Sequence, residues 1–306
     1  MRKFSITLVA STLVLFLSSC DSDFLSKMSW TARKSANLGQ MAEGLDRQSV
    51  DTLHAMAYGS GGKHGDTSAQ VQLGYLYYYG KGGLVEDKKR AEALFEAAAR
   101  QGHALAAYNI GLMYYRGEDG RDKAQAIKWF TIAATARPPF SEAQIRLGEI
   151  YEREDIVKRD MVAAAVWYEM AAAGRDTRYA QQAAYKVGWM LWKGEGREQN
   201  IQAAVKALTQ SANGHVYEAQ YLLGYIYGTG DGIPKDTLLS AYWLVLAEMN
   251  HPEFKSKIED FLLTLPKQDV VSARNKAAGA FRARINLAVR QDFNKILRET
   301  PSGGIQ

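Results

Sequence analysis

Residues 104–117 have the sequence ALAAYNIGLMYYRG, and most of this pattern recurs at regular intervals along the chain. An alanine stands five residues before a central glycine, an aliphatic residue directly before it, a tyrosine three residues after it and a second glycine six residues after it. Five segments align on an aliphatic–glycine pair, 37, 37, 40 and 36 residues apart: Leu73-Gly74, Ile110-Gly111, Leu147-Gly148, Val187-Gly188 and Leu223-Gly224. A fixed period of this length indicates a repeat protein.

Each repeat predicts two helices, which we call helix A and helix B. The second glycine allows the positive φ that ends helix A at little cost. A polar residue then introduces an alanine-rich stretch, and its side chain can accept hydrogen bonds from the first amides of helix B. These polar residues are Asp87, Asp122, Asp160, Asn200 and Asp236. The third repeat departs from the pattern, because Glu154 replaces the turn glycine.

The pattern Ala-x-x-x-(Leu/Ile/Val)-Gly-x-x-Tyr-x-x-Gly-x-Gly, followed by Asp-x-x-x-Ala and an aromatic-rich helix, resembles the Sel-like repeat family, which is related to the tetratricopeptide repeat. The resemblance covers about residues 65–251. It implies an all-α, right-handed α-solenoid of about five to six helix-hairpin repeats. A degenerate N-terminal repeat or cap is expected over residues 35–64, and C-terminal capping helices and a tail over residues 252–306, since solenoid ends need caps.

The N-terminus predicts an export signal. Arg2 and Lys3 precede an uncharged apolar run from Phe4 to Leu17, which is too short to span a bilayer. The segment Leu17-Ser18-Ser19-Cys20 resembles a bacterial lipobox, and it implies a lipoprotein signal peptide over residues 1–19, lipidation of Cys20 and a lipidated tether over residues 20–34. Asp21 resembles an inner-membrane retention signal, which favours the inner over the outer membrane. We therefore expect a lipid-anchored protein that faces the periplasm.

Composition excludes several classes of protein. The 306 residues are 47% hydrophobic and 23% charged, which is ordinary for a folded chain. A formal net charge of +5 is too weakly basic to predict a nucleic-acid binder. The single cysteine excludes an intramolecular disulfide bond.

A less apolar sector of helix A, which we call the predicted stripe, is the predicted binding surface. In this type of solenoid helix A lines the concave side, so the resemblance places the sector in a groove that suits an extended, somewhat acidic peptide or a glycan. Aromatic and basic side chains are the usual anchors of such surfaces. The predicted partner-binding residues are Tyr75, Tyr79, Arg116, Arg146, Arg153, Lys186, Trp189, Lys193 and Tyr225. The sequence leaves open whether Tyr75, Trp189 and Tyr225 line the groove or pack between repeats.

No motif predicts catalysis, a metal site or a cofactor. The five histidines form no pair at helical spacing, and the Ser-x-x-Lys spacing at Ser60–Lys63 lies in a glycine-rich loop without the partners that a serine nucleophile needs. We therefore expect no enzyme.

The leading hypothesis is a scaffold that binds an envelope protein, as part of an envelope assembly or as the modulator of a membrane sensor. The alternative is a protein that binds cell-wall or exopolysaccharide glycans, or one that processes them with Glu142 and Glu149 as acids. Helical ion pairs Glu142–Arg146 and Glu149–Arg153 are the simpler explanation of those two carboxylates.

Overall fold

The computed structural model describes residues 47–59, 65–117, 122–153, 156–280 and 282. The predicted signal peptide, Cys20 and the tether lie outside these residues, as do Ser60–Lys63 and Glu154. The regular structure of the described residues is helical throughout. The helices are α1 Arg47–Tyr58, α2 Thr67–Tyr79, α3 Lys88–Arg100, α4 Ala104–Tyr115, α5 Ala124–Ala134, α6 Ser141–Glu152, α7 Met161–Ala172, α8 Thr177–Lys193, α9 Ile201–Asn213, α10 Tyr217–Thr229, α11 Thr237–Asn250, a 3₁₀ turn Pro252–Phe254 and α12 Lys255–Leu262. Residues 267–280 are also helical.

Contacts between residues divide the chain into two compact units, Met1–Arg159 and Asp160–Gln306. The first unit contains α1 to α6, and the second contains α7 to α12 together with helix 267–280. Within each unit every helix packs against the next one along the chain. The prediction of an all-α repeat fold built from helical hairpins is confirmed.

The predicted turn glycines end helix A as expected. Gly80, Gly117, Gly194 and Gly230 all have a positive φ, between 61° and 76°, a conformation that side chains with a Cβ rarely adopt. In the third repeat α6 ends instead at Arg153, which has an extended backbone (φ −99°, ψ 156°). The repeat without a turn glycine thus ends its helix A in a different way.

The five predicted polar residues begin helix B. Four of these side chains accept a hydrogen bond from the amide three residues later, at 2.8–2.9 Å: Asp87, Asp160, Asn200 and Asp236. Asp122 accepts from the amide two residues later, that of Ala124, at 2.9 Å. Each bond satisfies an amide that the helix itself leaves unpaired.

The central glycine of helix A is the contact point for a bulky residue of helix B. A Cβ at Gly111 would lie 2.6 Å from the ring of Phe130, and one at Gly224 would lie 2.5 Å from Leu244. Equivalent close contacts join Gly74 to Phe95 and Gly188 to Leu208. The glycine therefore sets the distance between the two helices of the hairpin.

The last hairpin is covered by the C-terminal helices. In the region of the predicted capping helices and tail, 252–306, the structure has α12 and helix 267–280, and residues 281 and 283–306 lie outside the described residues. Their apolar side chains join Leu244 of α11 in one buried cluster: Ile258, Leu262, Leu265, Ala273 and Ala277. Within the described ranges, no helix has the length and apolar character needed to cross a membrane.

Candidate functional site

In the first unit the predicted stripe begins with two tyrosines in different environments. The Tyr75 side chain is only 7% exposed, and its hydroxyl donates a hydrogen bond to Oδ1 of Asn109, 34 residues later, at 2.9 Å. Tyr79 is 47% exposed and stacks parallel to Tyr75, with ring centroids 6.4 Å apart. Tyr75 is therefore packed between repeats and is too buried to contact a partner, whereas Tyr79 is accessible.

An exposed cluster of rings and a cation surrounds Tyr79. Tyr78 lies edge-on to Tyr79 at 4.7 Å, and Nη1 of Arg116 donates to the Tyr78 hydroxyl at 3.2 Å. Arg116 itself is exposed. The hydrogen bond holds the guanidinium beside the rings, so Tyr78, Tyr79 and Arg116 form one accessible patch.

Arg146 belongs to a partly buried polar network. Tyr108, which has no exposed surface, donates a hydrogen bond to Oε1 of Glu142 at 2.7 Å. Nη1 of Arg146 lies 2.6 Å from Oε2 of Glu149, and its guanidinium lies 6.0 Å from the Tyr115 ring. Arg146 therefore stabilises the first unit rather than offering a free cation to a partner.

Burial and charge perturb the ionisation of this network. Burial, followed by the Glu142 carboxylate, raises the pKa of the Tyr108 hydroxyl. Burial alone would lower the pKa of Arg146, but the Glu149 carboxylate raises it, and the net direction is upward. Tyr108 thus remains a hydrogen-bond donor and Arg146 remains charged at neutral pH.

One predicted ion pair of α6 is wrong, because Glu149 pairs with Arg146 three residues before it and not with Arg153 four residues after it. Glu142 accepts a hydrogen bond from Tyr108, and its carboxylate also acts on Arg146, whose pKa it raises. Glu142 is only 4% exposed, so it cannot reach a glycan as an acid. Arg153 is exposed at the end of α6.

In the second unit an aromatic cleft of about 440 Å³ lies between α8, α10 and α12. It includes two residues of the predicted stripe, Trp189 and Tyr225. We call it the aromatic cleft, and its lining residues are Tyr185, Trp189, Trp192, Tyr217, Glu218, Tyr221, Leu222, Tyr225, Lys257 and Ile258. Leu222 and Ile258 are buried and form its apolar floor, whereas Tyr221 and Tyr225 are each 36% exposed at its opening.

Contacts among the side chains hold the rings of the cleft in place. Trp192 and Tyr225 meet edge-to-face at 5.9 Å, and Tyr225 lies 6.0 Å from Phe261. Nε1 of Trp192 donates to Oδ2 of Asp231 at 2.8 Å. A cleft whose rings are already ordered loses little conformational entropy when it binds.

Charged groups surround the aromatic cleft. The ammonium of Lys193 lies 3.9 Å from the Trp192 ring, which is a cation–π contact, and Lys257 forms part of the α12 wall. Lys186 lies 5.7 Å from the Tyr168 ring. Burial raises the pKa of the Glu218 carboxyl, although a hydrogen bond from its own backbone and the charge of His251 oppose the shift.

Other site types find less support. Within the described ranges, no group of three or more His, Cys, Asp or Glu side chains could hold a metal ion. A second cavity, of about 660 Å³, involves α9, the loop after α10 and the start of α11. Its lining has a single aromatic ring, Tyr227, so it offers fewer anchors than the aromatic cleft.

The repeat boundaries match a known family. The family model for the Sel1 repeat matches residues 67–103, 104–137, 141–176, 181–214 and 218–250. The chain belongs to the Sel1 repeat family. Sel1 repeats generally mediate protein–protein binding, and the aromatic cleft is formed by the helix A segments of the last two Sel1 repeats and by α12.

One of the similar solved structures supports the same assignment. A Sel1 repeat protein from Oxalobacter formigenes is 26% identical, with a TM-score of 0.54, over 73% of this chain and 84% of that one. A protective antigen of uropathogenic Escherichia coli with an SLR fold is 19% identical, with a TM-score of 0.42, over 85% of this chain and 59% of that one. No curated protein matches the chain.

The repeat pattern contains a signal for the residues that sequence analysis missed. Tyr185 and Tyr221 both lie three residues before the central glycine of their Sel1 repeat, and Tyr78 and Trp192 both lie four residues after it. Positions seven residues apart share one helix face, next to the predicted stripe. Lys257 had no such signal, because α12 follows the last Sel1 repeat.

Proposed function

We propose that this Sel1 repeat protein is a scaffold anchored by lipid to a bacterial membrane, where it faces the periplasm and binds a protein partner. The partner would be an envelope protein, as part of an envelope assembly or as a membrane sensor that the scaffold modulates. The observation that carries the proposal is the preformed aromatic cleft, whose rings are accessible and whose rim carries lysines.

The surface chemistry of the cleft supports binding rather than catalysis. Aromatic rings and basic side chains contribute most of the free energy at protein interfaces. Trp189, Lys193 and Tyr225 were predicted from the sequence as partner-binding residues, and they lie in or beside this cleft. In the first unit the patch of Tyr78, Tyr79 and Arg116 offers the same chemistry.

Membrane anchoring is supported by the sequence alone. The lipobox-like segment ends at Cys20, and Asp21 favours the inner membrane. Acyl chains on Cys20 would hold the scaffold at the membrane surface with a free energy of about 0.8 kcal/mol per buried methylene. Such an anchor raises the concentration of the scaffold near a membrane-bound partner.

The test is affinity purification of the intact protein from crosslinked membranes. We expect one envelope protein to be recovered in stoichiometric amount, and Arg116→Glu and Lys193→Glu to reduce its recovery. Lys128→Glu and Lys206→Glu are matched controls, because both lysines are exposed on a helix B of the same two units. The Cys20→Ser variant should leave the membrane fraction and recover less partner.

Two results would contradict the proposal. If as much partner is recovered with Arg116→Glu and with Lys193→Glu as with the two control variants, the binding surface is elsewhere. If the Cys20→Ser variant stays in the membrane fraction, the lipid anchor is wrong.

Glycan binding remains a second candidate because aromatic rings also stack on sugars. The rings at the opening of the aromatic cleft favour it, although Glu142 is buried in the first unit and takes no part. Retention of the protein on immobilised chito-oligosaccharide, with loss of retention in Trp189→Ala, would support this alternative over a protein partner.

A further inference from the structure

The aromatic cleft has an end wall that an open repeat groove lacks. Tyr185, Trp189 and Trp192 come from α8, and Tyr217, Tyr221 and Tyr225 come from α10. Lys257 and Ile258 of α12 close a third side. A cleft with three walls and a volume of about 440 Å³ holds a few residues of a ligand and not a long strand.

The depth of the cleft is apolar. Leu222 and Ile258 are 7% and 1% exposed, and both lie among the aromatic lining. An apolar side chain that enters between the rings is removed from water, and the burial of its apolar surface favours binding. The apolar floor of the cleft therefore favours one bulky apolar side chain over the polar ring of a sugar.

The charges near the opening favour an acidic ligand. Within the described residues neither Lys193 nor Lys257 has a carboxylate partner within 4 Å. Two carboxylates are also near: Asp231 accepts the Trp192 hydrogen bond, and Glu218 lies close to the charges of His251 and Lys186. Trp192 thus holds the Asp231 carboxylate and Lys186 acts on Glu218, whereas the ammonium groups of Lys193 and Lys257 remain available to carboxylates of a ligand.

We propose that the aromatic cleft binds one bulky apolar side chain, aromatic or branched aliphatic, of an extended partner segment with acidic residues next to that side chain. The apolar side chain enters between Trp189 and Tyr225, and the acidic neighbours contact Lys193 and Lys257. This inference rests on the proposed function, and it specifies the segment that the partner supplies.

The test measures direct binding of synthetic peptides to the full chain by fluorescence anisotropy. The probe is the fluorescein-labelled peptide GSEEWESG, and the matched peptides are GSEEAESG and GSKKWKSG. We expect the first peptide to bind at least about tenfold more tightly than either of the others, because each matched peptide loses one of the two interactions. Raising the salt concentration should weaken the binding of the first peptide, since salt screens exposed charges.

Variants of the cleft locate the binding. Trp189→Ala should weaken binding of the first peptide by about 30-fold, as expected for a central aromatic anchor. Lys257→Glu should weaken it by about fivefold. Lys257 is exposed, so its reversal does not threaten folding. Lys267→Glu is the matched control, because Lys267 is exposed outside the cleft.

The inference is overturned if the acidic and basic peptides bind equally, if Lys257→Glu binds like Lys267→Glu, or if chito-oligosaccharide binds and displaces the peptide. Failure here is distinct from failure of the proposed function. If a partner is recovered from membranes and its recovery is unaffected by Trp189→Ala, the scaffold proposal stands and the proposal for this cleft is wrong. If the peptide binds but no envelope partner is recovered, the proposal for the cleft stands and the scaffold proposal is wrong.

Discussion

Replacing Gly111 by leucine should lower the free energy of unfolding by about 3 kcal/mol, because the new side chain overpacks the hairpin of α4 and α5. Even a Cβ at this position would lie 2.6 Å from Cδ1 and Cε1 of Phe130, which is fully buried. The ring has no space to withdraw, so the two helices must separate. Urea denaturation followed by circular dichroism measures the loss.

Two further variants show whether this contact is the cause. Gly279→Leu is the matched control, since Gly279 is helical and exposed with open space around it. Leucine at this position should raise the free energy of unfolding by about 0.5–1 kcal/mol through its helix propensity. Combining Gly111→Leu with Phe130→Ala should cost less than the sum of the two single changes. Strict additivity would show that the glycine does not set the helix spacing.

Removing the Glu142 carboxylate should cost about 3 kcal/mol of unfolding free energy, comparable with breaking a buried ion pair. In Glu142→Ala the hydroxyl of Tyr108 loses its acceptor in a site without solvent, and a buried unpaired donor is expensive. Arg146 also loses the electrostatic attraction of the Glu142 carboxylate, which contributes to its raised pKa. Denaturation measurements at neutral pH report the change.

Glu149→Ala is the control for this network. Glu149 lies on the same helix and pairs with the same arginine, but its side chain is 28% exposed, so water replaces the lost contact and the cost should be about 1 kcal/mol. Glu142→Gln keeps an acceptor for Tyr108, so its loss of unfolding free energy should lie between those of Glu142→Ala and Glu149→Ala. Equal costs for Glu142→Ala and Glu149→Ala would mean that burial of the network does not matter.

The fold was predictable because its signals are local. The turn glycines, the caps at Asp87 and Asp236, and the pairing of Gly111 with a bulky residue of the next helix each depend on a few neighbouring residues. Repetition adds these weak signals together. Five copies therefore identify the hairpin where one copy would not.

The candidate site was predictable only in part, because the accessibility of a helix face depends on the neighbouring repeats. Tyr75 and Arg146 occupy the predicted stripe, yet Asn109 of the following repeat accepts a hydrogen bond from Tyr75, and the Arg146 guanidinium lies 6.0 Å from the Tyr115 ring of the preceding repeat. Trp189 and Tyr225 do line an open cleft. The cleft as a whole was not predictable, since α12 supplies one wall and lies beyond the repeats.

Site-specific photocrosslinking in living cells tests most directly the claim that the aromatic cleft is the binding surface. A photoreactive phenylalanine derivative replaces Tyr225 in one strain and Leu238 in another; both residues are exposed and belong to the same Sel1 repeat, but only Tyr225 lines the aromatic cleft. The account predicts one crosslinked envelope protein from position 225 and none from position 238. Crosslinking from 238 alone, or equally from both, would contradict it.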